Sequence, residues 1–272
     1  MPAEKLNTWT ALLLGDVVGA PGRKAVSQAL PQLKAKYQPH LVIANGENAA
    51  DSGSGLTPEN YAELLQAGVD VVTTGNHVWE QESLIPLLDT EPHLLRPANY
   101  PSGLPGRGLA LISHPDLAHP IAVLNLQGRY RLPPIDDPFQ KATSLLETLK
   151  TLTSYILVDF HAEDPLEKEA MGWFLDGRVT AVVGTHTHVA TRDERLLPQG
   201  TAFQTDLGMC GPRDSVIGND RELSLRRALT QLPLKGEVAA GLGQVSGLCL
   251  EVDSGSGHAL RCERIAWDPE VG

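Results

Sequence analysis

The sequence predicts an α/β fold on a mixed, largely parallel central sheet. Three observations carry that reading. Short apolar runs alternate with segments of helical periodicity, the pattern of strand–helix–strand units. The runs are continuously apolar, as strands covered on both faces are. Several of them stop at a polar group beside a glycine, as strands do where they leave a sheet for a loop.

The elements follow in chain order. Residues 8–14, TWTALLL, form a central strand that ends at Gly15-Asp16. The turn after it has neither the GxGxxG spacing of a dinucleotide fingerprint nor a Walker A loop. Pro21 suits the first turn of a helix reaching Tyr37, and Val26, Ala29, Leu30 and Leu33 recur at helical spacing. A second strand, 40–45, ends at Gly46-Glu47-Asn48. After a Gly/Ser-rich loop, Thr57 caps a helix whose inner face is expected to hold Tyr61, Leu64 and Leu65. A third strand, 69–73, ends at Gly75-Asn76-His77, and a helix is expected over 80–88. Residues 92–108 are rich in proline and glycine and read as loop. Strands at 109–112 and 121–126 precede a helix over 138–149. A strand at 155–160 then ends at His161, and 165–175 reads as helix. The strand at 179–183 runs into Gly184-Thr185-His186-Thr187-His188. A short strand at 201–205 ends at Asp206, and 209–220 reads as loop. Residues 245–252 and 258–267 flank a Gly/Ser turn and form a hairpin. No repeat or linker breaks the pattern, so 1–272 is expected to be one domain.

Composition narrows the function. The formal net charge is −11. Long nucleic acid is therefore not the expected ligand, because that binding leans on phosphate neutralisation by Lys and Arg. A small phosphate ester held by metal ions remains open. Three cysteines, Cys210, Cys249 and Cys262, form no CxxC pair. That excludes a disulfide framework or zinc ribbon and suits a reducing compartment. Lys5 and the short run Ala11–Leu14 are too little for a signal peptide. No stretch approaches the roughly 18 apolar residues of a membrane span. A cytoplasmic protein without membrane contact is expected, and a homo-oligomer is compatible with the sequence.

Five strands end in groups competent to bind metal: Asp16; Glu47 with Asn48; Asn76 with His77; His161; and His186 with His188. Each alone reads as a turn residue, a cap or a satisfied histidine. Together they are expected to converge, because ligands of open α/β folds bind beyond the carboxyl ends of the strands. If the chain stays extended after the last strand, His186 and His188 face the same side. Without His77 there are seven candidate ligands, more than one divalent ion needs, so two ions are expected. The donors are oxygen and imidazole with no thiolate, which suits iron, manganese or zinc. Two such ions form a clamp for in-line displacement at phosphorus, and Glu47 is placed to bridge them.

The motif order GD, GEN, GNH, H, GTHTH resembles that of the calcineurin-like metallophosphoesterases. It is more similar still to their bacterial YmdB-like branch, which acts on 2',3'-cyclic nucleotides and other phosphodiesters. The likeness covers nearly the whole chain. It runs through Gly15-Asp16-Val17-Val18-Gly19, Gly46-Glu47-Asn48-Ala49-Ala50, Gly75-Asn76-His77-Val78-Trp79, Asn125-Leu126-Gln127-Gly128-Arg129, Phe160-His161-Ala162-Glu163, Gly184-Thr185-His186-Thr187-His188-Val189 and Thr205-Asp206-Leu207-Gly208-Met209. The resemblance implies a metallophosphoesterase-type layered α/β sandwich. It implies that Asp16, Asn48 and His188 hold one ion, that Asn76, His161 and His186 hold the other, and that Glu47 bridges. It implies a metal-bridging hydroxide as nucleophile, His77 as general acid, and iron as the first expectation with manganese or zinc as alternatives. The sequence departs from the broader superfamily at Val18, Glu47 and Val78, where that pattern has His, Asp and an acidic residue; Asn48 fills the coordination gap.

Arg129 and Arg213 are candidates for holding substrate phosphate, because a guanidinium matches phosphate with two parallel hydrogen bonds. Asp206 is a candidate for orienting a ligand histidine. The expected activity is a 2',3'-cyclic-nucleotide phosphodiesterase. The alternatives are a phosphomonoesterase of broad specificity, a non-catalytic nucleotide-sensing regulator using the same site, and a metal-dependent amide hydrolase.

Overall fold

The structure, a computed structural model, describes residues 7–270. Lys5, part of the N-terminal reading, lies outside the described residues. Two six-stranded sheets face each other. With strands numbered in chain order, the first contains β1 (Thr8–Val17), β2 (Leu41–Asn45), β3 (Val71–Thr73), β10 (Met209–Pro212), β11 (Gly243–Asp253) and β12 (Ala259–Trp267), in the order β12-β11-β10-β1-β2-β3. The second contains β4 (Leu109–Ile112), β5 (Ile121–Gln127), β6 (Ile156–His161), β7 (Ala181–Thr185), β8 (Arg195–Leu196) and β9 (Ala202–Gln204), in the order β4-β5-β6-β7-β9-β8. The centre of each sheet is parallel: β10-β1-β2-β3 in one and β5-β6-β7-β9 in the other. Antiparallel strands finish the edges. The expected central sheet is thus a pair of sheets, and the pair makes the sandwich.

The pleat explains why the strand sequences are apolar throughout. Successive side chains of a strand point to opposite faces. Along β1, Trp9, Ala11 and Leu13 meet Val123, Leu157 and Val183 of the facing sheet. Leu12 and Leu14 meet Val26 and Leu30 of α1 (Gly19–Tyr37) and Leu64 of α2 (Pro58–Ala67). In the second sheet, Leu124, Val158 and Val182 turn outward onto α4 (Pro138–Leu149) and α5 (Pro165–Leu175). Both faces of every central strand are dry, so a polar group survives only at a strand end or with full hydrogen bonding.

Several expected boundaries move for local reasons. β1 runs on to Val17, because Asp16 and Val17 pair with Met209 and Cys210 of β10. That pairing also converts the start of the expected 209–220 loop into a strand. Residues 82–84 form a 3₁₀ turn ahead of α3 (Ile85–Thr90), with Pro86 in the first turn of the helix. Thr57 does cap α2, accepting from the Asn60 amide at 3.2 Å. Tyr61 and Leu64 are buried, but Leu65 is 37% exposed and not on the inner face. The helix α6 (Arg221–Thr230) was not expected. It buries none of its residues, so it lacks the apolar periodicity that marks a helix, and Asp220 caps it by accepting from Leu223 N. No helix among the described residues is long and apolar enough to cross a membrane.

Candidate metal centre

The carboxyl ends of β1, β2 and β3 in one sheet meet those of β6 and β7 in the other. His161 closes β6, Asp16 is the penultimate residue of β1, and Glu47, Asn48, Asn76, His77, His186 and His188 stand within four residues of a strand end. Asp16, Glu47, Asn48 and His161 are buried. His161 Nε2 lies 2.9 Å from Glu47 Oε1, 3.2 Å from Asn76 Oδ1 and 3.0 Å from His186 Nδ1. His188 Nε2 lies 3.3 Å from Asn48 Oδ1. Asp16 Oδ2 accepts the His186 amide at 3.0 Å. The seven expected ligands therefore occupy one end of the sandwich.

The chain after β7 is not extended. His186 and His188 both take positive φ, 101° and 64°, so their rings reach the cluster through a left-handed turn rather than through strand alternation. Asp206 fixes that turn: its Oδ2 accepts from Thr187 N at 3.2 Å and Thr187 Oγ1 at 2.8 Å, and from the buried Lys168 Nζ at 2.6 Å. Asp206 thus grips the residue between the two histidines and touches neither imidazole. Gly75 lies under the cluster, where a Cβ would overlap His161 and Glu47.

The donor set fits a bound cation. Asp16 Oδ1 is buried and has no hydrogen-bond partner among the described residues. Three acceptors crowd His161 Nε2, and one ring N–H can satisfy only one of them. Glu47, His161 and His186 alone place three ligand atoms within 4.8 Å of one another. A buried acceptor without a proton is costly, and a metal ion removes that cost.

The electrostatics show how tightly these groups are coupled. Burial pushes Asp16 up to about 6, although the charges of His188 and His161 oppose it. Burial would also raise Glu47, but His161 and the His77 amide outweigh it and hold the carboxyl at about 2. His161 is the converse: burial favours the neutral ring, and Glu47, then Asp16, raise it to about 9. Burial and the neighbouring His161 charge drive His186 down to about 3, a neutral imidazole able to ligate.

His77 stands beside the cluster with its side chain part-exposed. Its amide donates to Glu47 Oε2 at 3.1 Å. Its Nδ1 meets Ser54 Oγ at 3.0 Å and Glu80 Oε1 at 3.5 Å. These contacts engage Nδ1 and leave Nε2 as the other ring nitrogen. Arg129 lies past the end of β5, its guanidinium 3.1 Å from Asp137 Oδ2 and open to solvent. Arg213, expected at the substrate, pairs instead with Asp268 and Glu270 near the C-terminus, at 3.1 and 2.7 Å. Its guanidinium is engaged there, and its hydrogen bonds go to no residue of the cluster.

Sequence reasoning passed over Asp159, Thr185 and Glu163. Asp159 is buried beneath the cluster and accepts from Thr185 Oγ1 at 2.7 Å, Thr73 Oγ1 at 2.5 Å and Asn45 Nδ2 at 3.2 Å. Glu163 Oε2 lies 3.1 Å from His186 Nε2. The signal for Asp159 was present, a lone acid inside the apolar run YILVDF.

Two facing sheets, covered by helices and joined at one end by oxygen and imidazole donors, define a metallophosphoesterase. More narrowly, the family model described as "YmdB-like protein" matches residues 12–265, and the chain belongs to that family. It is 49% identical over 254 residues to the 2',3'-cyclic-nucleotide 2'-phosphodiesterase of Bacillus subtilis, covering 93% of this chain and 95% of that one. The crystal structure of a phosphatase from Mycoplasma pneumoniae superposes with a TM-score of 0.89 at 37% identity, covering 97% of this chain and 96% of that one. The 5'-nucleotidase of Candida albicans shares the fold alone, with a TM-score of 0.57 at 13% identity over 98% of this chain and 53% of that one.

Proposed function

We propose that this chain is a dinuclear metal-dependent phosphodiesterase that hydrolyses 2',3'-cyclic nucleotides. The observation that carries the metal centre is the crowd of acceptors around His161 Nε2 beside the unsatisfied Asp16 oxygen. The substrate class is supported by the Bacillus subtilis relative. Asp16, Asn48 and His188 would hold one ion. Asn76, His161 and His186 would hold the other, and Glu47 would bridge them. When bound, such ions supply Lewis acidity and lower the pKa of water toward neutrality. Iron is the first candidate, with manganese or zinc as alternatives.

The chain's own residues divide the remaining work. His77 donates a proton from Nε2 to the leaving ester oxygen, and its Nδ1 is oriented by Ser54 and Glu80. The Glu47 carboxylate accepts the His77 amide, so the general acid is registered to the same group that would bridge the ions. Asp206 and Lys168 hold the histidine turn from below. Arg129, with its guanidinium open to solvent, is the remaining candidate for a phosphate contact. Small phosphate esters in the cytoplasm suit a molecule with a formal charge of −11 better than a nucleic-acid polymer does.

The Mycoplasma pneumoniae phosphatase favours one competing reading, a broad phosphomonoesterase. Steady-state kinetics on 2',3'-cyclic AMP, bis-p-nitrophenyl phosphate and p-nitrophenyl phosphate separates the two. The proposal expects kcat/KM highest for the cyclic nucleotide and all turnover abolished by a chelator. A higher kcat/KM for the monoester would replace it with the phosphatase reading, and turnover that survives metal removal would sink both.

A further inference from the structure

His161 and His186 meet ring to ring, with His161 Nε2 and His186 Nδ1 3.0 Å apart. Which nitrogen of each ring carries a proton decides whether both can face one ion. The surroundings answer this from the hydrogen-bond directions. Asp159 is buried, and a carboxylate can only accept. The Thr185 hydroxyl donates to Asp159 Oδ1 at 2.7 Å, which spends its single proton. The Thr185 oxygen, 2.9 Å from His161 Nδ1, must therefore accept from that nitrogen. Asn45 Nδ2 approaches the same nitrogen only at 3.4 Å and is nearer to Asp159, at 3.2 Å. Nδ1 of His161 thus keeps its proton, and Nε2, toward the cluster, is the nitrogen whose lone pair a cation would take.

His186 is set the other way round. Its Nε2 lies 3.1 Å from Glu163 Oε2, which accepts the ring proton there and leaves the lone pair on Nδ1, again toward the cluster. His161 Nε2 and His186 Nδ1 thus face each other as the two nitrogens left to ligate, an arrangement suited to a shared cation that takes the place of the proton between them. Asp159, His161 and Glu163 occur at alternate positions along β6 and its exit. A single strand therefore delivers one ligand and the two carboxylates that orient it and its neighbour.

The geometry points to Asp159, acting through Thr185, and Glu163 as positioning residues that impose opposite tautomers on His161 and His186, so that one ion receives Nε2 of the first and Nδ1 of the second. The inference rests on the proposed metal centre. Hydrogen bonds of this kind beyond the ligands are worth about 10- to 100-fold in metal affinity.

The test is long-range ¹H–¹⁵N correlation on full-length protein with ¹⁵N-labelled histidine, titrated with Zn²⁺ alone. The wild type should show His161 bound through Nε2 with its proton on Nδ1, and His186 bound through Nδ1 with its proton on Nε2. Thr185→Val and Glu163→Gln should each raise the Zn²⁺ dissociation constant of one site by about 10- to 100-fold, and Thr185→Ser should restore it. Glu163 is 40% exposed on its side chain, so Glu163→Gln is readable even where Thr185→Val does not fold. Zn²⁺ bound through the opposite nitrogen of either ring would overturn the inference and leave the metal centre standing, as would wild-type affinity in Glu163→Gln together with Thr185→Val. A wild type that takes up no Zn²⁺ would overturn the metal centre and this inference with it.

Discussion

His77 and the ligand histidines separate cleanly under substitution. On the proposed mechanism His77→Ala removes a proton donor and no ligand. It should keep the wild-type metal content by plasma mass spectrometry while turnover falls about a hundred- to ten-thousand-fold. His186→Ala and His188→Ala should behave differently. His188 meets Asn48 and His186 meets His161, so each variant should lose one ion per chain and keep the other. Loss of both ions from either variant would mean that the two histidines share a site. That these residues gather at one end of the sandwich was legible in the sequence, as polar groups at strand exits, because strand ends are where an α/β sheet tolerates them. The route by which His186 and His188 arrive was not. Strand alternation predicted a shared face, whereas the rings reach the cluster from positive φ, held by Asp206 through Thr187. Backbone dihedrals leave little trace in a sequence without a glycine at the position. Arg213 shows the same limit from the other side, because nothing local announced Asp268 and Glu270, more than fifty positions away.

At the level of elements, the strands that carry the site also carry the core. Leu13, in the middle of β1, is buried between the sheets among Leu157 and Val183. Leu13→Ala should cost about 2–5 kcal/mol in urea unfolding. Thr57→Ala at the cap of α2 should cost about 0.5–2 kcal/mol, with metal content unchanged because α2 contributes no ligand. Helices with a clear start were read to the residue: α4 and α5 each begin at a proline preceded by a capping aspartate. What the sequence hid was the element with no inward face. α6 has none of its residues buried, so its existence depends on the Asp220 cap and its own backbone. The doubling of the sheet was hidden for a related reason: a strand buried by a helix and one buried by another strand are equally apolar.

For the molecule as a whole, the three thiols report on its integrity. Burial pushes Cys210 and Cys249 up to about 12 and raises Cys262 as well. At pH 8 a thiol with such a pKa is protonated and unreactive. Native protein should therefore react slowly with a disulfide reagent, part-exposed Cys262 first, and release all three thiols on unfolding in guanidinium. Fast reaction of two or more thiols in the folded state would contradict the packing of β10 and β11 against β1. We propose that the two sheets meet at this end to hold two ions. Crystals of the protein as purified, measured at the iron, manganese and zinc absorption edges, test it directly. Two anomalous peaks about 3.5–4 Å apart are expected, one against Asn76, His161 and His186, the other against Asp16, Asn48 and His188, with Glu47 between. A single peak would remove the bridge, and no peak at this end of the sandwich would mean that these residues hold no metal.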